Sequence, residues 1–250
     1  QLALNMLDEG TKTRTSLEIN NDLAMLGANL GSGSNLDQSF VTMSALKAKF
    51  DESLDLFSDV ILNPSFPQQD FDRLKNQQLV SIRQEKTDPV QMGIRTLPKF
   101  MYGENHAYGN PLTGSGYEET VSKLTVEDIK KFYSTWFKPN NATIVAVGDI
   151  TMEELTNKLE SSFKNWKQGK LPKKNLGKVG TPNKNKIYLM DKPGSPQSVI
   201  IAGHVTAPYG EQNEIAVQMM NTILGGEFTS RVNMNLREKK GWAYGASTFL

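Results

Sequence analysis

The sequence predicts an α+β fold built from a unit that is partly repeated, and three observations lead there. Segments with apolar residues at helical spacing alternate along the chain with short β-branched runs. A lysine-, glycine- and proline-rich stretch without periodicity, residues 167–186, separates two such alternations. The 250 residues, 38% hydrophobic and 22% charged, can bury one large core or two smaller ones, and the composition is neither disordered nor fibrous.

The elements run in this order. Residues 15–27 open with Thr15 or Ser16 as N-cap, place Ile19, Leu23 and Leu26 at helical spacing and stop at Gly27, a short amphipathic helix. Residues 36–50 change to strand usage at Phe40, Val41, Thr42 and Met43, and Asp51 stands where it can cap the next helix. Leu54, Phe57 and Ile61 then share a helical face that Pro64 terminates. The next helix has Pro67 in its first turn and Phe71, Leu74, Leu79 and Ile82 on its apolar side; it should run about five turns and end before Pro89. Residues 101–116 are glycine- and turn-rich loop, and Thr125 with Asp128 forms a capping arrangement for a helix through Trp136. Residues 141–150 read as an apolar strand and 151–166 as an amphipathic helix. The lysines of the following connector are those of a solvated segment rather than of a docking patch. Beyond it come two strands around a Pro/Gly turn (187–205), a helix from Asn213, further helical sequence with Arg237 and Glu238 near its end, and a strand from Trp242.

Several chemistries are excluded. Lys+Arg 28 against Asp+Glu 27 offers no argument for a nucleic-acid or membrane-surface partner, and no apolar run approaches the ~20 residues of a transmembrane segment. Without cysteine there are no disulfides, thiolate nucleophiles or Cys-ligated metals, and His106 and His204 are too far apart to make a paired-histidine zinc motif. There is no phosphate-binding glycine loop and no G-x-S-x-G. His106, in a loop, and His204, at a strand end, are expected in ordinary structural or surface roles. Gly31, Gly33, Gly225 and Gly226 are expected in turns and caps, and Met25, Met43, Met219 and Met220 in the core. The start has neither initiator methionine nor signal-peptide pattern and the end is apolar, so a piece of a longer polypeptide is expected.

Four stretches in this order, MLDEGTKTRTSLEINNDLAMLGANL, NHAYGNPLTGS, LTVEDIKKFYSTWFKPNNATIVAVGDI and LGGEFTSRVNMNLREKKGWAYG, resemble successive segments of the pitrilysin/insulinase/mitochondrial processing peptidase family of inverted zincins. The resemblance covers nearly the whole chain. It implies a processing-peptidase-like metallohydrolase fold with antiparallel-rich sheets, helices packed on them, and a repeated domain. Residues 1–166 would be the first peptidase-like domain, 167–183 the linker and 184–250 the start of a second, homologous domain. Active family domains carry H-x-x-E-H shortly before a Gly-Thr and a further Glu on a later helix; the histidines and distal Glu hold zinc, and the first Glu activates water. Counting back from Gly10-Thr11 puts Gln1 and Asn5 at the histidine positions, Leu4 at the base and Ser81 at the distal ligand. Leucine cannot take a proton, and Gln, Asn and Ser are poor zinc ligands. The resemblance therefore implies no cofactor in this chain, zinc in a homologous partner half or subunit, and a part of a zinc metallopeptidase that is inactive alone.

In the family, domains lacking zinc supply an Arg and a Tyr seven positions apart that contact substrate near the scissile bond, and Arg237 and Tyr244 have that spacing. A guanidinium can donate to a peptide carbonyl or its developing oxyanion, and a phenol adds a second donor. By spacing alone the two read as a helix-terminal ion pair and a tyrosine packed in a sheet; the resemblance makes them the candidate catalytic residues. Family members grip substrate as an added strand, for which Asn29–Phe40 is the candidate here, beside the substituted motif. The implied function is the non-catalytic half or subunit of a metalloendopeptidase that cleaves peptides or unfolded protein, located in the bacterial periplasm or cell envelope. The alternatives are a structural assembly protein related to the peptidases and a peptide-binding module without hydrolysis.

Overall fold

The computed structural model describes residues 1–180 and 184–250; the end of the expected linker, residues 181–183, lies outside the described residues. A short helix α1 (Leu2–Asn5) leads to α2 (Ser16–Leu26), which begins and ends where local chemistry requires. The Thr15 hydroxyl accepts the Glu18 N–H at 3.3 Å while the Glu18 carboxylate accepts the Thr15 N–H at 2.7 Å, and Gly27 stops the helix at φ +61°. Strands β1 (Asn29–Ser34) and β2 (Ser39–Ser44) pair antiparallel, from Asn29 opposite Ser44 to Ser34 opposite Ser39. Their turn is closed by the Asn35 side chain, which accepts the Asp37 and Gln38 N–H groups, each at 2.9 Å.

Four longer helices build the body: α3 (Phe50–Leu62), α4 (Gln68–Glu85), α5 (Pro89–Tyr102) and, after the short α6 (Glu118–Val121), α7 (Val126–Trp136); α8 (Met152–Phe163) packs on α3. The Thr125–Asp128 box caps α7 in both directions. Leu4, Ile19, Leu56, Phe71 and Ile129 meet in one core, so α1, α2, α3, α4 and α7 are locked together around the first residues of the chain. Contacts divide the described chain into two units, Gln1–Gly203 and His204–Leu250. The second contains α9 (Glu214–Asn221), a π-helical turn (Thr222–Gly226), and α10 (Arg231–Asn233), which runs on as a second π-helical turn through Lys239.

Several expectations are corrected. In place of antiparallel-rich sheets, the described residues are helix-rich, and β1–β2 is their one sheet. The stretches 141–150, 187–205 and 242–250, expected as strands, form no ladder among the described residues. Their alternation is nevertheless physical: Tyr188 stacks on Phe100 of α5 at 3.8 Å and Met190 lies near Thr96, while Ile187 and Leu189 point outward and are more than nine-tenths exposed. Period-two patterning sets side-chain direction; a ladder also needs a neighbouring backbone. Helix α5 was not expected. It starts on Asp88, whose side chain accepts the Gln91 N–H, with Pro89 at the first helical position, and it tolerates an interior Pro98 that is fully buried. Asp51 does not cap α3, which begins one residue earlier; it lies in the first turn with Glu52, where the helix dipole favours a negative charge. Pro67 is the N-cap of α4 rather than part of its first turn. Gly31 and Gly33 lie within β1, the latter so close to the Phe40 ring that a Cβ would stand 2.6 Å from it. Met25, Met219 and Met220 are exposed; on α2 the inward line is Ile19, Leu23 and Leu26, and Met25 falls off it.

The connector is less free than its composition implies. Its lysines from Lys167 to Lys178 are exposed, yet Asn140 exchanges two hydrogen bonds with the Gly169 backbone (2.9 and 3.1 Å), and His106 holds the Gly177 carbonyl at 2.9 Å.

Candidate functional site

The positions that the resemblance aligns with a zinc motif lie on α1 and α4. Leu4 has no exposed surface at all and sits with Leu2, Met6 and Leu7 in the core, while Ser32 of β1 ties the strand to this helix by donating to the Leu4 carbonyl at 2.9 Å. Asn5 is the last residue of that helix and Gln1 its N-cap. Ser81 is on the exposed side of α4, and the buried residue beside it, Ile82, offers no ligand atom either. Among the described residues no three His, Asp or Glu side chains gather into a group that could hold a metal ion. A site needing two imidazoles and two carboxylates is not matched by an amide, a buried isobutyl group, a second amide and a hydroxyl, so these residues do not fit zinc.

The two histidines are likewise accounted for. His106 is buried, its Nδ1 accepting the Tyr108 N–H at 3.1 Å and its Nε2 directed at the Gly177 carbonyl. A carbonyl can only accept, so the ring is the Nε2–H tautomer with both nitrogens spent, which makes it a structural latch rather than a ligand or base. His204 is exposed. The rest of the NHAYGNPLTGS segment is also held structurally. Buried Arg95 on α5 donates to Glu85 of α4 at 2.5 Å and to Ser115 at 2.9 Å, with a further hydrogen bond to the Gly116 carbonyl; Ser115 donates to Glu85 at 2.8 Å. Sequence reading missed this network, because Glu85 and Arg95 show no regular spacing within one element and the loop residues are small and common.

The candidate pair Arg237 and Tyr244 lies within the unit His204–Leu250 and is brought together. Arg237 rides on the π-helical turn Met234–Lys239, widened so that the Lys240 N–H reaches back to the Asn235 carbonyl at 3.1 Å. Gly241, at φ +61°, then reverses the chain in a conformation that favours glycine, and the Trp242 N–H closes on the Leu236 carbonyl at 2.9 Å. The reversal carries Tyr244 back over Arg237, with the guanidinium carbon 5.2 Å from its ring centroid. Phe228, which sequence reading did not single out, holds the guanidinium at 4.9 Å. Arg237 Nε is 3.3 Å from Glu238, and its Nη donors have no protein partner among the described residues. Tyr244 is 90% exposed, so a cation and a phenol stand together with hydrogen-bonding capacity to spare. The candidate gripping element comprises β1, the turn and the start of β2; among the described residues β1 pairs with β2 alone.

Known proteins share this architecture. A family model described as "Peptidase M16 inactive domain" matches residues 123–250, and one described as "Insulinase (Peptidase family M16)" matches residues 2–116. The chain is 23% identical over 248 residues to the "Non-peptidase homolog YmxG" of Helicobacter pylori, covering 98% of this chain and 55% of that protein. It is 22% identical over 250 residues to an "Uncharacterized zinc protease" of Streptomyces coelicolor, covering 98% and 54%. Among solved structures, a peptidase M16 inactive domain from Pseudomonas fluorescens superposes with a TM-score of 0.81 at 25% identity, over 98% of this chain and 58% of that one. The chain thus spans about half the length of the curated relatives it matches.

Proposed function

The chain belongs to the insulinase family, peptidase family M16, and from that premise we propose that it is a non-catalytic half or subunit of a zinc metalloendopeptidase. It shapes the substrate chamber and presents Arg237 and Tyr244 to the peptide, while a homologous zinc-bearing half or subunit hydrolyses the bond. The observation that carries this reading is Leu4, a core leucine with no exposed surface at the position where an active domain keeps its general base. The match of residues 123–250 to an inactive-domain model supports it. Residues 1–166 are the first peptidase-like domain in this reading, 167–183 the linker and 184–250 the start of a second, homologous domain.

Zinc held by a homologous partner half would supply the activated water. Arg237 donates from its free Nη edge to the scissile carbonyl, where negative charge develops. Tyr244 adds its hydroxyl as a second donor, and its ring and that of Phe228 lie 5.2 and 4.9 Å from the guanidinium carbon. The substrates are peptides or unfolded segments, which alone can supply an accessible extended backbone. The bacterial periplasm or cell envelope is the proposed location, resting on family resemblance; among the described residues no helix is long and apolar enough to cross a membrane.

The test measures zinc content and peptide cleavage for this chain alone and mixed with a zinc-bearing family half. No stoichiometric zinc and no cleavage are expected alone, with cleavage in the mixture; zinc-dependent cleavage by the chain alone would sink the reading. Arg237→Ala is expected to lower kcat of the mixture roughly 100-fold, the scale of losing an oxyanion donor. Peptide binding without cleavage in any mixture would favour the binding-module alternative.

A further inference from the structure

Asn233, the last residue of α10, is a polar side chain buried to 4% exposure in the unit His204–Leu250. Its amide is spent at both ends on the backbone of two separate segments. Nδ2 donates to the Phe228 carbonyl at 2.7 Å, and Oδ1 accepts the Ala246 N–H at 3.2 Å. Those segments carry the rings that flank Arg237: Phe228 itself, and Tyr244 two residues before Ala246. Arg237 follows Asn233 by four positions, about one helical turn, so clasp and guanidinium share a side of the helix.

An apolar side chain would fill this space but take these partners from the Phe228 carbonyl and the Ala246 N–H, whereas the amide ties the two segments together. The two backbone segments do not pair with each other in a ladder, so a side chain between them sets their separation. We propose that Asn233 is a positioning residue that clasps the Phe228 and Ala246 backbones, so that the Phe228 and Tyr244 rings bracket the Arg237 guanidinium and leave its Nη edge free. The use of this device rests on the assignment of Arg237 and Tyr244 to substrate, but its geometry does not. Phe228 thereby becomes part of the same arrangement.

The test separates the two claims. In the full 250-residue chain labelled at arginine, the Arg237 Nε–H proton resonance is expected to be displaced upfield by both rings, with Phe228→Ala and Tyr244→Ala defining each ring's share. Asn233→Leu, of similar volume, is expected to remove most of that displacement while the far-ultraviolet circular dichroism stays unchanged. Asn233→Asp is expected to recover it only at acid pH, where a protonated carboxyl can again donate to the Phe228 carbonyl; a residue that merely fills space would give no such pH profile. An Arg237 resonance unmoved in Asn233→Leu, or insensitive to pH in Asn233→Asp, would overturn the clasp; should Asn233→Leu not fold, the pH profile of Asn233→Asp decides alone. In the mixture with a zinc-bearing half, Asn233→Leu is expected to lower kcat with KM little changed. If the bracket opens and cleavage is undiminished, the substrate role of Arg237 falls while the clasp stands.

Discussion

Leu4→Glu puts a general base back at its motif position, and the structure makes it costly. Leu4 is completely buried among Leu2, Met6 and Leu7. Replacing it forfeits about 2–3 kcal/mol of side-chain burial, and leaving a carboxyl in that setting without a hydrogen-bond partner adds a few kcal/mol more even after it neutralises by taking up a proton. The expected loss is at least about 4 kcal/mol, a large share of the ~5–15 kcal/mol that hold a typical domain together. Urea denaturation followed by circular dichroism measures it. Burial raises the pKa of the introduced carboxyl in the native state, so the protonated form is favoured there and the loss should shrink as pH is lowered from 7 to 5. The triple variant Gln1→His, Leu4→Glu, Asn5→His should bind zinc no better than the parent chain, because the inserted base and the core compete for the same space. A triple variant that loses less than about 1 kcal/mol and binds zinc one-to-one would refute the claim that this corner has been rebuilt as core.

Three further outcomes are expected. Glu85→Ala strips the buried Arg95 of its 2.5 Å counter-ion and should cost roughly 3–5 kcal/mol in urea denaturation, the scale of breaking a buried pair; under 1 kcal/mol would mean the network is not closed. Burial alone would push Asp59 up, but hydrogen bonds from Thr11, Asn63, Arg14 and Thr13 hold it below the usual carboxylate range. Its stabilisation should therefore be complete at pH 7 and fade as pH falls through that lowered value, so the difference in urea midpoint between the parent and Asp59→Asn should shrink toward pH 3. Gly225→Ala would set a Cβ 2.7 Å from the Thr248 backbone nitrogen, whose N–H donates to the Gly225 carbonyl at 2.9 Å, and should speed hydrogen exchange at Thr248; unchanged exchange would contradict the close approach.

The candidate site is legible in sequence as spacing and illegible as packing. Arg237 and Tyr244 stand out because seven positions and a family segment mark them, whereas Phe228 and Asn233 carry no motif and matter through where the chain folds back. The zinc positions are readable as substitutions, and only the buried surroundings of Leu4 add that reversing the substitution would disrupt the core. Helix α5 is hidden because glycine and an interior proline dilute its pattern, although Asp88 and Pro89 announce its start.

By itself, the sequence determined what depends on residues within a turn or two of each other. The Thr15 and Thr125–Asp128 helix starts, the Gly27 stop and the absence of thiol chemistry all arise from neighbouring side chains and backbone. Tertiary structure alone decided what depends on distant partners. It spent both nitrogens of His106, joined Glu85 to Arg95 and the 113–116 loop, left the apolar extended stretches without ladders among the described residues, and closed two aromatic rings on Arg237. The physical reason is that hydrogen bonds and burial are satisfied by whichever group arrives in space, and a linear pattern records the demand without naming the supplier.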